Sequence, residues 1–323
     1  MSEPTIQTDV AAKVRLIKQR MVLPAIAAPM FLVSGPQLVV SACKAGIIGA
    51  FPTINARTTE VLKQWLEQIK SELTAAGKAP PGKTAPWAAN LIVHRSSERF
   101  EQDLKVVLDY QPEMVITALG SPGRVAGQVH EYGGIVFADV NSVLYARKAV
   151  DAGADGLCLV CAGAGGHTGQ ISPFTFVPSV REFFDGPLIV AGGICDGAGV
   201  AAIEALGADF AYFGTRFIAA RESLAPAGYR NMLVASTEED LILTAHFTGV
   251  PANYLRPSIE RAGLDPASLG VRKDKKFDSR KESRAWRDIW SAGQGLRAVK
   301  KAQPIAEIVS ELKIGYDAAR GRG

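Results

Sequence analysis

Several features are scarce in this chain, and each scarcity excludes a class of protein. Only four cysteines occur in 323 residues, all within or just beyond apolar segments, which favours reduced thiols over a disulfide framework. No apolar run reaches about 18 residues, and the N-terminus carries Glu3 and Asp9 where a secretion signal would be basic and then apolar. The net charge is only +4, and no basic stripe is interleaved with aromatic residues. We therefore expect a cytoplasmic protein without a membrane or nucleic-acid partner.

Two of the cysteines, Cys158 and Cys161, have the spacing of a redox or metal site. Side chains three residues apart on a strand point to opposite faces, so these two thiols would not converge on one ligand. We interpret the pair as structural and expect no metal site. The chain does have ample material for a core, since 47% of its residues are hydrophobic and 21% are charged. This composition is typical of a globular protein.

Eight short apolar runs alternate with helical patterns along the first two thirds of the chain. Most runs are continuously apolar, as in strands that helices bury on both faces. The runs are Ala25–Met30, Ile47–Pro52, Trp87–Val93, Met114–Gly120, Gly134–Val140, Gly156–Ala162, Pro187–Gly193 and Phe210–Phe217. The clearest helical patterns between them are Thr59–Ala76, Glu98–Tyr110, Ser142–Ala152 and Ala198–Leu206. Eight such units predict an α/β fold, a (β/α)₈ TIM barrel.

The alternative fold is a doubly wound open sheet. That fold would have a Gly-x-Gly-x-x-Gly turn after its first strand, where this chain has Pro29-Met30. After the eighth run the pattern changes to helical pieces broken by prolines, followed by a charge-dense stretch. We predict a mostly helical substrate or cap region at 222–295, inserted into a barrel formed by 1–221 and 296–323. A helical pattern at Ile305–Ala319 would close the barrel wall.

Glycines stand at the ends of the last two apolar runs. Gly192-Gly193 ends the seventh run, and Gly214-Thr215 interrupts the eighth. Because glycine has no Cβ, its backbone N–H can approach a phosphate oxygen closely, and two adjacent strand ends make a site for one phosphate group. TIM barrels commonly bind phosphate after strands seven and eight. The sequence therefore predicts a phosphate site here, with His167 in the glycine-rich loop after the sixth run beside the bound molecule.

These motifs carry a family resemblance that covers nearly the whole chain. The residues concerned are Ala27-Ala28-Pro29-Met30, Asn90-Leu91, Gly165-Gly166-His167-Thr168-Gly169, Ala191-Gly192-Gly193, Gly214-Thr215-Arg216-Phe217 and Ser291-Ala292-Gly293-Gln294-Gly295. In order and spacing they resemble the FMN-dependent nitronate monooxygenases, formerly called 2-nitropropane dioxygenases. They are also similar to motifs of FMN-dependent enoyl-acyl-carrier-protein reductases and other flavin oxidoreductases. The resemblance implies FMN as the cofactor and leaves the reaction open among these enzymes.

The resemblance also implies which residues contact FMN. Those against the isoalloxazine ring are the backbone at Ala28, Pro29 and Met30 and the side chain of Asn90. Those at the 5′-phosphate are Gly192, Gly193, Gly214 and Thr215. The remaining pocket residues are Gly166, Asp139 and Gln294. A carboxylate at a strand end, such as Asp139, is equally compatible with a solvated or capping role.

His167 is the candidate catalytic residue. A histidine titrates near neutrality, and one on a glycine loop over the flavin could take the α-proton of a nitroalkane or hold an anionic nitronate against the ring. An isolated histidine more often only hydrogen-bonds a loop, but a strand-end position beside a cofactor site favours catalysis. Of the other histidines, only His246 lies in the region expected to cover the pocket.

We expect an FMN-dependent oxidoreductase that oxidises alkyl nitronates with O₂ to carbonyl compounds and nitrite. The first alternative is an NAD(P)H-dependent FMN reductase or dehydrogenase acting on an acyl thioester, of the enoyl-ACP or acyl-CoA type, or on a quinone. The basic residues between Arg272 and Arg284 could bind the phosphates of such a thioester or form a solvated face. The second alternative is a non-catalytic FMN- or phosphate-binding barrel in which His167 is structural. From similar proteins we expect a homodimer.

Overall fold

The computed structural model describes residues 5–78, 84–270 and 288–321. Its strands are β1 (Ala25–Ala27), β2 (Ile48–Pro52), β3 (Trp87–Ile92), β4 (Met114–Ala118), β5 (Ile135–Val140), β6 (Gly156–Val160), β7 (Gly166–His167), β8 (Leu188–Ala191), β9 (Phe210–Phe213), β10 (Leu241–Thr244) and β11 (Ala252–Leu255). Strands β1 to β6, β8 and β9 form a closed parallel barrel in that order. Since β9 pairs with β1, the sheet has no open edge. The predicted (β/α)₈ TIM barrel is confirmed, and the doubly wound alternative is excluded.

Helices connect the successive barrel strands, one helix precedes the first strand, and two of the described helices lie in the segment 222–295. The helices are α1 (Thr5–Lys18), α2 (Pro36–Lys44), α3 (Thr59–Lys78), α4 (Phe100–Tyr110), α5 (Ala126–Glu131), α6 (Val143–Asp151), α7 (Pro173–Arg181), α8 (Gly197–Ala205), α9 (Thr215–Ile218), α10 (Ala227–Ala235), α11 (Arg256–Arg261) and α12 (Ile305–Arg320). Several of them start at capping side chains: Ser142 accepts from the Tyr145 N–H, Ser172 from the Phe174 N–H and Asp196 from the Gly199 N–H. The four helices predicted between strands are confirmed as α3, α4, α6 and α8.

Both faces of the barrel strands are buried. Inward side chains such as Ile26, Ile116 and Ile189 fill the barrel interior. Outward side chains such as Leu157 and Val190 pack against the helices. Burying one such side chain is worth about 1.5–3 kcal/mol relative to leaving it exposed. This double burial is why the runs are continuously apolar rather than alternating.

The segment 222–295 contains strands as well as helices. Strands β10 and β11 are antiparallel, and β11 also pairs with β7, so a three-stranded sheet joins this segment to the glycine loop after β6. The prediction of helical pieces missed β10 and β11, because each has only four residues and so short an apolar run fits either period. The charge-dense run at 271–284 lies outside the described residues.

The last helix, α12, returns to the barrel and packs against α8, which confirms the predicted closing helix. A Cβ on Gly197 would lie 2.0 Å from the carbonyl oxygen of Leu312 and 2.2 Å from the nitrogen of Tyr316, so glycine is required for this close approach. Within the described ranges, every helix is too short or too polar to cross a membrane.

Candidate active site

A cavity of about 1490 Å³ lies at the carboxyl ends of the barrel strands. Pockets for one small ligand typically measure about 300–1000 Å³, so this one has room for a cofactor together with a substrate. The predicted site residues that line it are Ala28, Pro29, Met30, Asn90, Asp139, Gly166, His167, Gly192, Gly193, Gly214 and Thr215. The barrel therefore brings together all but one of the predicted residues. The exception, Gln294, is exposed and lies outside the lining.

The turn after β8 presents bare backbone to the cavity. Gly192 and Gly193 have φ angles of 120° and 70°, which side chains rarely allow. A Cβ on Gly192 would lie 2.7 Å from the carbonyl oxygen of Ala162, so this residue is pressed against the preceding loop. A Cβ on Gly193 would meet none of the described atoms within 4 Å, so this residue borders open space. Such a turn suits an anion bound by backbone N–H groups.

The turn after β9 lies beside the first, since β8 and β9 are neighbouring strands. Gly214 leads into α9, and the nearest atom that its Cβ would meet is the Sδ of Met30 at 3.8 Å. The Oγ1 of Thr215 accepts a hydrogen bond of 2.8 Å from the Gly293 N–H. Because the hydroxyl acts there as acceptor, its proton can be donated to a ligand. The two glycine turns thus converge on one edge of the cavity.

The segment 291–295 packs against the glycine loop after β6. The Gln294 N–H donates to the carbonyl of Gly163 at 2.9 Å. A Cβ on Gly165 would lie 2.6 Å from the nitrogen of Gly293, so the two backbones touch. Gln294 therefore supports the site through its backbone, and its side-chain oxygen lies beside Gly163, 2.6 Å from where a Cβ on that glycine would stand. The contact holds the loop that carries the candidate histidine.

Two asparagines outside the predicted site hold the loops around the cavity. The Asn253 amide, on β11, donates to the carbonyl of Ala164 at 2.7 Å. The Asn55 amide donates to the carbonyl of Met30 at 2.9 Å, and its oxygen accepts from the Leu32 N–H at 2.8 Å. Both asparagines are buried, at 7% and 9% exposure. The available signal for Asn253 was a polar residue within an otherwise apolar stretch, whereas the segment around Asn55 is of mixed polarity and gave no such signal.

An apolar wall and one amide line the side of the cavity at β1 and β3. The wall is Ala28–Met30, and the Ala28 N–H donates to the carbonyl of Phe213 at 2.9 Å, which ties the wall to β9. The Asn90 side chain is 5% exposed and donates to the carbonyl of Ile116 at 3.2 Å. This bond fixes the direction of the amide. A flat ring with a polar edge would find an apolar face and an oriented amide here.

His167 lies on β7, where it pairs with Ala252 of β11. Its Nε2 is 3.0 Å from the Oγ1 of Thr248, and that hydroxyl donates to the carbonyl of Val250 at 3.1 Å. A hydroxyl has one proton, so Thr248 accepts from a proton on Nε2 when it donates to Val250. The small sheet positions the histidine, and the loop between β10 and β11 supplies its hydroxyl partner.

Burial also sets the charge of His167. It lowers the pKa of the imidazole to about 4, so the ring is neutral at neutral pH and able to accept a proton. His246, the other histidine of interest, lies outside the cavity lining. Its Nδ1 is 3.0 Å from the carbonyl oxygen of Gly270.

Asp139 lies on β5 and lines the cavity. Burial raises the pKa of its carboxyl to about 7, and a hydrogen bond with the Cys158 thiol offsets part of this rise. Its Oδ1 is buried without a hydrogen-bond partner among the described residues. The structure therefore places Asp139 in the pocket and not in solvent. Cys158, like the other three cysteines, is a free thiol, as expected.

The family model and a curated relative both name the same protein family. A sequence model of the nitronate monooxygenase family matches residues 13–314. A nitronate monooxygenase of Paraburkholderia phytofirmans is 28% identical over 321 residues, covering 87% of this chain and 83% of the relative. The (3aS,4S,5R,7aS)-5-hydroxy-7a-methyl-1-oxo-octahydro-1H-indene-4-carboxyl-CoA dehydrogenase of Rhodococcus jostii is 27% identical over 244 residues, covering 74% of this chain and 65% of the relative.

Solved structures share the fold. The nitroalkane oxidase of Streptomyces ansochromogenes has a TM-score of 0.79 at 24% identity, covering 95% of this chain and 99% of that chain. FabK of Thermotoga maritima has a TM-score of 0.78 at 24% identity, covering 96% of this chain and 97% of that chain. At this identity the likeness concerns the fold, whereas the family match spans most of the sequence. The chain belongs to the nitronate monooxygenase family of flavin-dependent oxidoreductases, as its motifs predicted.

Proposed function

We propose that the cavity binds FMN and that the protein oxidises alkyl nitronates with O₂ to carbonyl compounds and nitrite. The observation that carries the proposal is the convergence of two glycine turns, Gly192-Gly193 and Gly214-Thr215, on the edge of a cavity that also holds His167. Two adjacent turns suit one phosphate group, which favours FMN over FAD. When bound, FMN supplies the capacity to accept electrons from an organic substrate and pass them to O₂.

The residues present fit this cofactor. Gly193 and Gly214 offer backbone N–H groups at the phosphate edge, and Thr215 offers its hydroxyl proton. Ala28–Met30 offers an apolar wall for the ring, and Asn90 an oriented amide for its polar edge. Gly166 lines the same cavity, and Gln294 supports it through its backbone. The sheet formed by β7, β10 and β11 makes segment 222–295 the region that bounds the substrate.

We assign His167 the role of general base toward a neutral nitroalkane. The imidazole is neutral and its Nε2 lies 3.0 Å from the Thr248 hydroxyl, so the ring nitrogen that carries no proton would take the substrate's α-proton. A lone imidazolium is unfavourable in this buried position, as the low pKa indicates. The nitronate left by proton removal is an anion, and its charge beside the imidazolium compensates for that cost. The same pairing would hold a nitronate supplied from solution.

Anaerobic stopped-flow absorbance tests the cofactor and the reaction together. The purified protein with FMN is mixed with propyl-2-nitronate in one experiment and with NADH or NADPH in another. Bleaching of the flavin absorbance by the nitronate supports the proposal. Bleaching by neither reagent would indicate a non-catalytic flavin-binding barrel, and a protein that retains no FMN would contradict the cofactor assignment.

The variant His167→Asn tests the base. We expect turnover of a neutral nitroalkane to fall about 10²- to 10⁴-fold, because the proton acceptor is lost. Turnover of a preformed nitronate should fall much less, since that substrate has already lost its α-proton, and FMN should stay bound. Steady-state oxygen consumption with each substrate measures this. Unchanged turnover of the neutral nitroalkane would rule out His167 as the base.

A second candidate function is reduction or dehydrogenation of an acyl thioester. It is favoured by the similarity to a carboxyl-CoA dehydrogenase over 74% of this chain and by the size of the cavity, about 1490 Å³. Bleaching of the flavin by NADH or NADPH but not by the nitronate would move the protein to this class. The basic run at 271–284, proposed as a dock for such a substrate, lies outside the described residues.

A further inference from the structure

Four residues that line the cavity have a buried side-chain atom without a hydrogen-bond partner among the described residues. Two are Arg99 and Arg216, whose guanidinium groups are bonded through their other nitrogens, and the other two take no part in the chemistry assigned to His167. The atoms of these other two are the Oδ1 of Asp139 on β5 and the phenol oxygen of Tyr212 on β9. Within residues 5–78, 84–270 and 288–321, neither atom has a hydrogen-bond partner. Buried polar groups in folded proteins are nearly always paired, so two unpaired atoms that line one cavity point to a polar ligand group there.

Tyr212 lies next to the glycine turns. It is only 8% exposed and lines the cavity. It stands two residues before Gly214, which follows the end of β9 at Phe213. Its Cα pairs with that of Ala191, the residue before Gly192. In the barrel register the tyrosine therefore lies one residue before the first glycine turn and two residues before the second.

Asp139 reaches the same region from β5. After burial itself, the charge of Asp139 is the largest cause that raises the pKa of Tyr212, so the carboxyl and the phenol are near enough to interact. The thiol of Cys158, on the adjacent strand β6, hydrogen-bonds the same carboxyl. The Asp139 carboxyl and the Tyr212 phenol therefore belong to two residues that line the same cavity and interact electrostatically.

The chemistry of this pair selects its ligand. A phenol both donates and accepts hydrogen bonds, while a carboxyl accepts when ionised and also donates when protonated. A ligand hydroxyl also donates and accepts, so it can satisfy both groups. In FMN, the ribityl carbon chain joins the phosphate to the ring and carries hydroxyl groups on its inner carbons. A phosphate held at the glycine turns would therefore place hydroxyl groups near the residues that precede those turns.

We propose that Asp139 and Tyr212 bind the hydroxyl groups of the ribityl chain of FMN from the barrel interior. The proposal rests on the proposed function, because it takes FMN as the ligand. It gives a cofactor-binding role to Tyr212, which lies outside the predicted site. It also specifies the part of the cofactor that Asp139 contacts.

The test compares two flavins that differ only in these hydroxyl groups. One is FMN, and the other is a phosphopentyl flavin, in which hydrogen replaces each ribityl hydroxyl. The affinity of the flavin-free protein for each is measured by the change in flavin fluorescence on binding. For Tyr212→Phe we expect the dissociation constant of FMN to rise roughly two- to tenfold, which corresponds to one hydrogen bond. The affinity for the phosphopentyl flavin should stay at the wild-type value.

Matched variants distinguish direct contact of Asp139 and Tyr212 with the flavin from a role of these residues in the fold alone. Asp139→Ala should behave like Tyr212→Phe, whereas Asp139→Asn keeps a hydrogen-bonding group of the same shape and should restore FMN binding. Tyr132→Phe removes a phenol that donates to the carbonyl of Pro112 at 3.0 Å, away from the cavity. This control should bind both flavins like the wild type.

The outcomes are distinct. If Tyr212→Phe binds FMN as tightly as the wild type does, or weakens both flavins equally, the ribityl contact is wrong while the proposed function stands. If the wild type binds neither flavin, the proposed function and the ribityl contact are both wrong. Weakening confined to FMN, with rescue by Asp139→Asn, supports the contact.

Discussion

The charge of His167 has a consequence for stability as well as for catalysis. Its pKa is about 4 in the folded protein against an ordinary value of 6.5, so between these values the unfolded chain binds more protons. Stability therefore falls as the pH is lowered from about 6.5 to about 4. The variant His167→Asn lacks this titrating group. Between pH 6.5 and pH 4 we therefore expect its free energy of unfolding to fall by up to about 3 kcal/mol less than that of the wild type. Urea unfolding across this range measures the difference, and parallel profiles would contradict the prediction.

Asp139 gives the opposite dependence. Its pKa is about 7 in the folded protein against an ordinary value of 3.8, so the folded state binds more protons between these values. Stability therefore falls as the pH rises through this window. In the flavin-free protein we expect Asp139→Asn to be more stable than the wild type at pH 8, by on the order of 2–4 kcal/mol, and similar to it near pH 4. Thermal unfolding at the two pH values decides this, and an advantage independent of pH would argue against a buried carboxyl.

At the scale of single residues, the sequence predicted those site positions at which the backbone conformation requires one kind of residue, such as glycine. Gly192 and Gly193 adopt positive φ angles at a strand end, and a glycine pair after an apolar run is the signal for such a turn. Tyr212 was missed because a tyrosine within an apolar strand resembles a core residue. The partner of His167, Thr248, is 81 residues away along the chain, and only the small sheet brings the two together.

Among the elements, the glycine loop after β6 depends on its contact with segment 291–295. A Cβ on Gly165 would lie 2.6 Å from the nitrogen of Gly293, which is backbone and therefore cannot move aside cheaply. We expect Gly165→Ala to lower stability by about 1–3 kcal/mol and to weaken FMN binding. In the control Gly127→Ala, on α5, a Cβ meets none of the described atoms within 4 Å, so stability should stay the same or rise.

Thermal unfolding of both variants with and without FMN measures these effects. A Gly165→Ala protein as stable as the control, with unchanged FMN affinity, would show that the two backbones do not need to touch.

The barrel strands were predictable because burial on both faces makes most of them continuously apolar runs in the sequence. The small sheet was not, since β7 has two residues and β10 and β11 have four each, too few to show a period. Their pairing is decided by tertiary contacts, such as the bond from Asn253 to the loop at Ala164. The element that positions His167 is thus the one that the local sequence encodes most weakly.

For the whole molecule, α12 connects the outer wall of the barrel with the edge of the cavity where the two glycine turns lie. Arg216, on the short helix α9 after the second glycine turn, donates to the carbonyl of Ala298 and to the carboxylate of Glu311 on α12. On the other side, α12 touches Gly197 at the start of α8, just beyond the first glycine turn. The last helix therefore supports both turns, although it lies about 100 residues further along the chain.

Two substitutions on α12 test this link. Leu312 is 2% exposed, whereas Ile314 on the same helix is 68% exposed. We expect Leu312→Ala to lower the free energy of unfolding by about 2–5 kcal/mol, and Ile314→Ala to change it by less than about 0.5 kcal/mol. If α12 also positions the glycine turns, only Leu312→Ala will weaken FMN binding, which equilibrium titration of the flavin-free proteins measures. A Leu312→Ala protein that is less stable yet binds FMN normally would show that α12 closes the barrel without holding the phosphate edge.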